Sequence, residues 1–154
     1  MTCGHIRLAV QSDAESISAL IIVTLRETNA TDYSPEIIDR LVDNFTPENV
    51  VAHLASREVL VAVQGDIIIG TASLEQSRAR TVFVHPSMQG KGVGALLMEE
   101  IEALALGAGL KILHVNSSIS AQGFYQRLGY SKVRDEYFED ERTIVMSKSI
   151  NQDD

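Results

Sequence analysis

The sequence holds one cysteine, three prolines and no tryptophan, and only 5% of its 154 residues are aromatic. A single thiol, Cys3, excludes an internal disulfide and suits a reducing compartment. The four histidines, His5, His53, His85 and His114, are scattered with no short ligand spacing, so no metal site is expected. Basic residues are scarce as well: 13 Lys and Arg stand against 21 Asp and Glu, a formal net charge of −8. Nucleic acid is therefore not expected as a partner, because its binding energy comes mostly from basic patches. An acidic surface attracts cations such as amines, although acidity also simply keeps a protein soluble. No apolar run approaches the roughly 20 residues of a membrane span, so no membrane partner is expected. The opening "MTCGHIRLAV" gives way at once to polar "QSDAES", unlike a secretion signal. These absences lead to the expectation of a cytoplasmic localisation.

What is present is the material of one domain. Hydrophobic residues make up 45% of the chain, and residues 1–154 are expected to form a single domain whose core needs no staple. "IRLAV" reads as a first strand. "SDAESISALIIVTLRE" opens with Ser12 or Asp13 as N-cap and carries Ile17, Leu20, Ile21 and Leu25 at helical spacing. "SPEIIDRLVDNF" and "TPENVVAHLAS" each place a proline at a helix start. The period then becomes strand-like: "EVLVAVQGDIIIGTASLE" is two β-rich runs joined at Gln64-Gly65-Asp66, a hairpin by composition. The polar "EQSRAR" at 75–80 is the nearest thing to a linker and is too short to separate domains. After strand "RTVFV", "VGALLMEEIEALALGAG" is an amphipathic helix with Val93, Leu96, Leu97, Ile101 and Leu104 in one stripe and Glu99, Glu100 and Glu102 away from it. "KILHVNSS" is a strand, "SAQGFYQRL" a short helix, and "YSKVRDEYF" with "ERTIVMSK" a terminal strand pair. The fold class is α/β (α+β): a mixed sheet of about seven strands flanked by helices.

The chemistry concentrates at "TVFVHPSMQGKGVGA", residues 81–95. A β-branched strand stops at Pro86, and Gly90, Gly92 and Gly94 precede a helix. Glycines here allow φ > 0 and close approach of a ligand to backbone N–H groups, which at a helix start favour an anion. Lys91 and the uncharged donor Gln89 flank them, and a pyrophosphate is the natural guest. A Rossmann reading of Gly90, Gly92 and Ala95 lacks the acidic residue after the next strand, since "KILHVNSS" ends in Asn and Ser. A Walker loop fails because Gly92, not Ser or Thr, follows Lys91.

The stretch resembles the acyl-CoA-binding signature of the GNAT family of N-acyltransferases, Q/R-x-x-G-x-G/A, here Gln89-Gly90-Lys91-Gly92-Val93-Gly94. The later "SAQGFYQRLGY" is similar to that family's carboxy-terminal signature, A-x-x-F-Y-x-x-x-G-[FY]. The resemblance covers residues 6–148, strongly over 81–130 and weakly before 58. It implies the GNAT fold, with a mostly antiparallel sheet, and acetyl-CoA as co-substrate. The acetyl group would pass directly to an amine of a small molecule or peptide, without a covalent enzyme intermediate. Carried over by position, Gly90, Lys91, Gly92, Val93, Gly94 and Ala95 bind the pyrophosphate. The main chain of Val82, Phe83 and Val84 pairs with pantetheine like an added strand, and one of its N–H groups polarises the thioester carbonyl.

Tyr125 aligns with the family's usual general acid, which protonates the departing thiolate. Many members carry an Asn seven residues before that Tyr, where it contacts the cofactor; this chain has Ser118, which can still donate a hydrogen bond, and Asn116 nearby is expected to share the contact. For the base, Glu75 is one candidate, with His85 and His114 as others; a water chain, or an amine of low pKa that needs no base, remains open. The acceptor is expected between Thr28–Phe45 and Asp135–Glu141, where Asp32, Asp39, Asp135, Glu136, Glu139, Asp140 and Glu141 hint at a cation. Family members are often dimers, so a homodimer stays open. Two alternatives also stay open: a non-catalytic acyl-CoA-binding or regulatory module, and transfer of a longer acyl chain.

Overall fold

In the computed structural model, residues 4–139 and 141–151 are described; Cys3 and Asp140 lie outside them. The elements run β1 (His5–Leu8), α1 (Ala14–Glu27), α2 (Pro35–Val42), α3 (Pro47–Ser56), β2 (Glu58–Gln64), β3 (Ile67–Glu75), β4 (Arg78–Val84), α4 (Val93–Gly107), β5 (Ile112–Ser117), α5 (Gln122–Arg127), β6 (Ser131–Phe138) and β7 (Glu141–Ser149). The seven strands form one sheet in the order β1-β2-β3-β4-β5-β7-β6. Every neighbouring pair is antiparallel except β4 and β5.

Local chemistry accounts for most element boundaries. The Ser34 hydroxyl accepts from Ile37 N–H at 3.3 Å and the Thr46 hydroxyl from Asn49 N–H at 3.2 Å, and Pro35 and Pro47 follow as first helical residues. Gly65 (φ 62°) turns the β2–β3 hairpin. Asp13 behaves differently from the expected helix cap. Its carboxylate points back, accepting from Val10 N–H at 2.8 Å and from both Arg7 Nη atoms at 2.8 and 3.1 Å, and so ties β1 to the start of α1. The polar 75–80 stretch is mostly strand: only Gln76 and Ser77 separate β3 from β4.

The sheet buries its two faces against different helices. Ile17, Ile21 and Leu25 of α1 and Val50 of α3 pack on Val59, Val61 and Val63 of β2. On the opposite face, Leu97, Met98 and Ile101 of α4 meet Ala72, Leu113, Val115, Ile144 and Met146. Two positions of α4 depart from the periodic reading. Leu96 is 40% exposed while Met98 is buried. Glu102 accepts from Tyr130 Oη at 2.7 Å and pairs with Lys148 Nζ at 3.0 Å, binding α4 to β7.

Candidate active site

The glycine turn has the backbone its sequence implies. Gly90 (φ 78°) and Gly92 (φ 88°) are left-handed, and an added Cβ at either would meet nothing within 4 Å, so conformation alone calls for glycine there. Gly94 is a glycine for another reason: a Cβ on it would lie 3.0 Å from Phe124 Cζ, so its bareness lets α5 pack on α4. Gly92 is the N-cap of α4, no side chain caps the helix, and its first turn holds no acidic residue. The first helical bond is Leu96 N–H to Gly92 O, which leaves the N–H groups of Val93, Gly94 and Ala95 without helical acceptors. Such donors and the helix dipole favour an anion, and Lys91 lies within the same turn. The Gln89 side chain is turned toward the sheet. Its Nε2 donates to Val84 O at 3.1 Å and Thr28 Oγ1 at 3.2 Å, fastening the turn to β4 and α1.

Immediately before that turn the sheet opens. Strands β4 and β5 pair only at Arg78–His114 and Ala79–Val115, and then diverge. The edge of β4 facing β5 is thereby free of strand partners along Val82, Phe83 and Val84. Opposite β3, the register runs from Ser73–Arg80 to Thr71–Phe83, so Thr81 and Val82 together face Ala72. This bulge puts Thr81 in a left-handed conformation, φ 58°, costly for a β-branched residue. Arg57 Nη1, reaching over from the end of α3, donates to Thr81 Oγ1 at 2.9 Å.

On the α1–α3 side of the divergence lies a cavity of about 440 Å³, walled by Asn49, His53, Arg57, Arg80, Thr81 and Asn116 among others. The His53 ring stands edge-on to Phe45 at 5.9 Å. Burial, reinforced by Arg57 and opposed by Glu75, lowers its pKa below the ordinary histidine value, so the imidazole is neutral at pH 7. On the α4 side, Tyr125 is 5% exposed and stacks edge-on with Phe124 and Tyr130. Its burial pushes the phenol well above its usual range, so it keeps its proton at neutral pH.

Most residues singled out from the sequence gather around this opening, some in roles other than those expected. Asn116 is in the cavity wall and its Oδ1 accepts from Arg78 Nη1. The Ser118 hydroxyl accepts from Ala121 N–H at 3.3 Å, supporting the turn into α5. Glu75 lies between two guanidiniums, 2.9 Å from Arg80 Nε and 3.6 Å from Arg57 Nε. His85 Nδ1 accepts from Ser87 N–H at 3.1 Å, and His114 Nδ1 is buried without a hydrogen-bond partner among the described residues. Among the described residues, the acids expected to draw a cation each have a partner within the chain. Asp39 pairs with Arg26, Glu139 and Glu141 with Arg40, Asp135 with Lys132 and Arg142, and Glu136 with Arg134. Asp32 accepts from Ser120. Sequence reasoning passed over His53 and Arg57, which α3 delivers to the cavity. Their i, i+4 spacing was the available signal, but it reads equally as an ordinary helix face.

Comparison with known proteins agrees with this geometry. A family model described as an acetyltransferase (GNAT) domain matches residues 29–149. An uncharacterised N-acetyltransferase of Chlorobaculum tepidum is 30% identical over 99 residues, 59% of each chain. The match thus spans less than two thirds of that relative's length. The peptidyl-lysine N-acetyltransferase YjaB of Salmonella typhimurium is 30% identical over 126 residues, 78% of this chain and 80% of its own. Among solved structures, the GCN5-related N-acetyltransferase of Rhodopseudomonas palustris superposes with a TM-score of 0.91 at 26% identity, covering 97% of both chains. PaiA N-acetyltransferase of Thermoplasma acidophilum, in complex with coenzyme A, gives 0.81 at 19% identity over 94% of this chain and 98% of its own. The chain belongs to the GNAT acetyltransferase family.

Proposed function

We propose that this chain transfers an acetyl group from acetyl-CoA to a primary amine. The observation that carries the reading is the opening between β4 and β5, with an uncapped helix start on one side and a polar cavity on the other. Pyrophosphate fits the free N–H groups of Val93, Gly94 and Ala95, with Gly90 and Gly92 shaping the turn and Lys91 alongside. The free edge of Val82, Phe83 and Val84 suits the two amides of pantetheine, which need main-chain partners. Family membership and the coenzyme A held by the Thermoplasma neighbour support the same donor. When bound, that donor supplies an activated thioester; the protein's task is to orient it against the amine and exclude competing water.

The fate of each proton follows from burial. The neutral imidazole of His53, in the cavity wall, takes the proton that the amine sheds on attack. Glu75 is the poorer acceptor, because two guanidiniums already hold its carboxylate. On the far side of the sheet, Tyr125 enters as a donor and stabilises the departing thiolate. A lysine side chain on a peptide is a second acceptor class, favoured by the similarity to a peptidyl-lysine N-acetyltransferase.

Release of free CoA from acetyl-CoA, followed over small amines and lysine peptides, tests the reading. Saturable turnover on at least one amine is expected. Tight acetyl-CoA binding with no turnover on any would instead identify a binding module. Comparison with succinyl- and longer acyl-CoAs in the same assay fixes the acyl preference.

A further inference from the structure

The acceptor side carries a charge imbalance opposite to that of the chain. Against a formal net charge of −8, three guanidiniums, Arg57, Arg78 and Arg80, collect where β4 and β5 diverge. Alternation along β4 and β5 puts Arg78, Arg80 and Asn116 on the same face of the sheet, toward which Arg57 reaches from α3. One carboxylate, Glu75, lies against Arg57 and Arg80. The next ion pair outward, Arg134 with Glu136, is neutral in sum. Arg57 and Arg80 line the cavity against the one carboxylate of Glu75, and Arg78, bonded to Asn116 and under the opposed influence of Glu136 and Arg134, stands next to it.

The arginines are also under-partnered. The Arg57 side chain is 15% exposed, and its Nε stands 3.6 Å from Glu75, an ion-pair distance but too long for a hydrogen bond. That Nε is buried with no hydrogen-bond partner among the described residues. Arg78 commits Nη1 to the Asn116 carbonyl oxygen. Burial and the neighbouring Arg80 both disfavour the charge on Arg78. A guanidinium does not relieve such stress by losing its proton; it is relieved by a counter-ion.

We infer that the amine acceptor carries an anionic group, carboxylate or phosphate, which Arg57 and Arg80 seat in the cavity beside Thr81 and Asn116. This rests on the acetyl-transfer reading above. A planar guanidinium matches either anion through paired N–H donors, which an ammonium does not. The anion compensates the charge that Glu75 leaves uncovered, and its seat on the cavity wall directs the attached amine toward the gap. Among the described residues, the committed acids of the β6–β7 hairpin leave no comparable site for a second cation.

The test is CoA release with matched amines: α-amino acids against their carboxamides, O-phosphoethanolamine against ethanolamine, and a diamine as the cationic member. The acidic member of a pair is expected to be preferred by about tenfold or more in kcat/KM, the size of one charge-assisted hydrogen bond. Arg80→Gln, at an exposed side chain, should collapse that preference through KM, with retained acetyl-CoA affinity by calorimetry as the check on folding. The pair that discriminates identifies carboxylate or phosphate. Equal or better use of the neutral or cationic members would overturn the inference and leave acetyl transfer standing. Acetyl-CoA binding without turnover of any amine would overturn both.

Discussion

A histidine in the middle of a short helix is an ordinary residue until something covers it, and His53 owes its chemistry to the cavity around it. Burial lowers its pKa, so the base form persists below the usual value of about 6.5 and is lost only as pH falls further. The pH profile of kcat should therefore show an acidic limb with an apparent pKa below that value. His53→Gln should lower kcat about 10²-fold and abolish the limb; an unchanged limb would assign the base elsewhere. Tyr125 is the opposite case, held protonated by burial on all sides. Tyr125→Phe keeps the ring packing and removes the donor, so kcat should fall by about 10² with acetyl-CoA affinity nearly intact. Calorimetry beside steady-state kinetics separates the two effects. Tyr125 stood out in the sequence because it sits inside a spaced motif, "GFYQRLGY". His53, Arg57 and Thr81 were not, because their meaning arises where α3 crosses β4, a contact of residues more than 20 apart. The acidic run near the carboxy terminus shows the mirror case: its charges were visible in the sequence, their arginine partners in space were not.

At the level of elements, strand, turn and helix from 78 to 107 act as one unit, and that unit was the most legible stretch of the chain. β-branched residues, alternating glycines and a long apolar stripe each obey short-range rules, so β4, the turn and α4 follow from local pattern. The bulge in β4 does not, since nothing in "RARTVFV" marks Thr81 as the left-handed residue. Within the turn, Gly92→Val forces a β-branched side chain to φ 88°, at a cost of about 1–3 kcal/mol, and disturbs the donors of the α4 start. The expected result is weakened acetyl-CoA binding in calorimetry with circular dichroism unchanged. Native affinity in that variant would move the pyrophosphate site away from the turn. Asp13 occupies the expected N-cap position of α1 but makes no side-chain cap bond: a guanidinium with two parallel donors outcompetes a helix N–H for the same carboxylate.

Across the whole molecule, the sheet is continuous in order yet split in its middle, and a ligand that bridges the split should stabilise the fold. At a hundred times its dissociation constant, acetyl-CoA should contribute about 2.7 kcal/mol to stability. For a chain of this size that corresponds to a rise in Tm of roughly 5–10 °C. Differential scanning calorimetry with and without the ligand measures it, and Gly92→Val should reduce the rise. No shift at saturating ligand would argue that the cofactor does not bind the folded state. Fold class and the succession of strands and helices along the chain were legible from the alternation of periods; the sheet order, with β7 between β5 and β6, and the split were not, because "KILHVNSS" reads as an ordinary strand. In the proposed reading, the seam of two residue pairs joining β4 to β5 also divides the labour of recognition. Acetyl-CoA would lie against β4 and α4, and the amine acceptor in the cavity walled by His53, Arg57, Arg80, Thr81 and Asn116. A lineage can therefore rewrite one surface while the other stays under separate constraint, so such chains can keep a single acetyl donor and change the molecule that receives it.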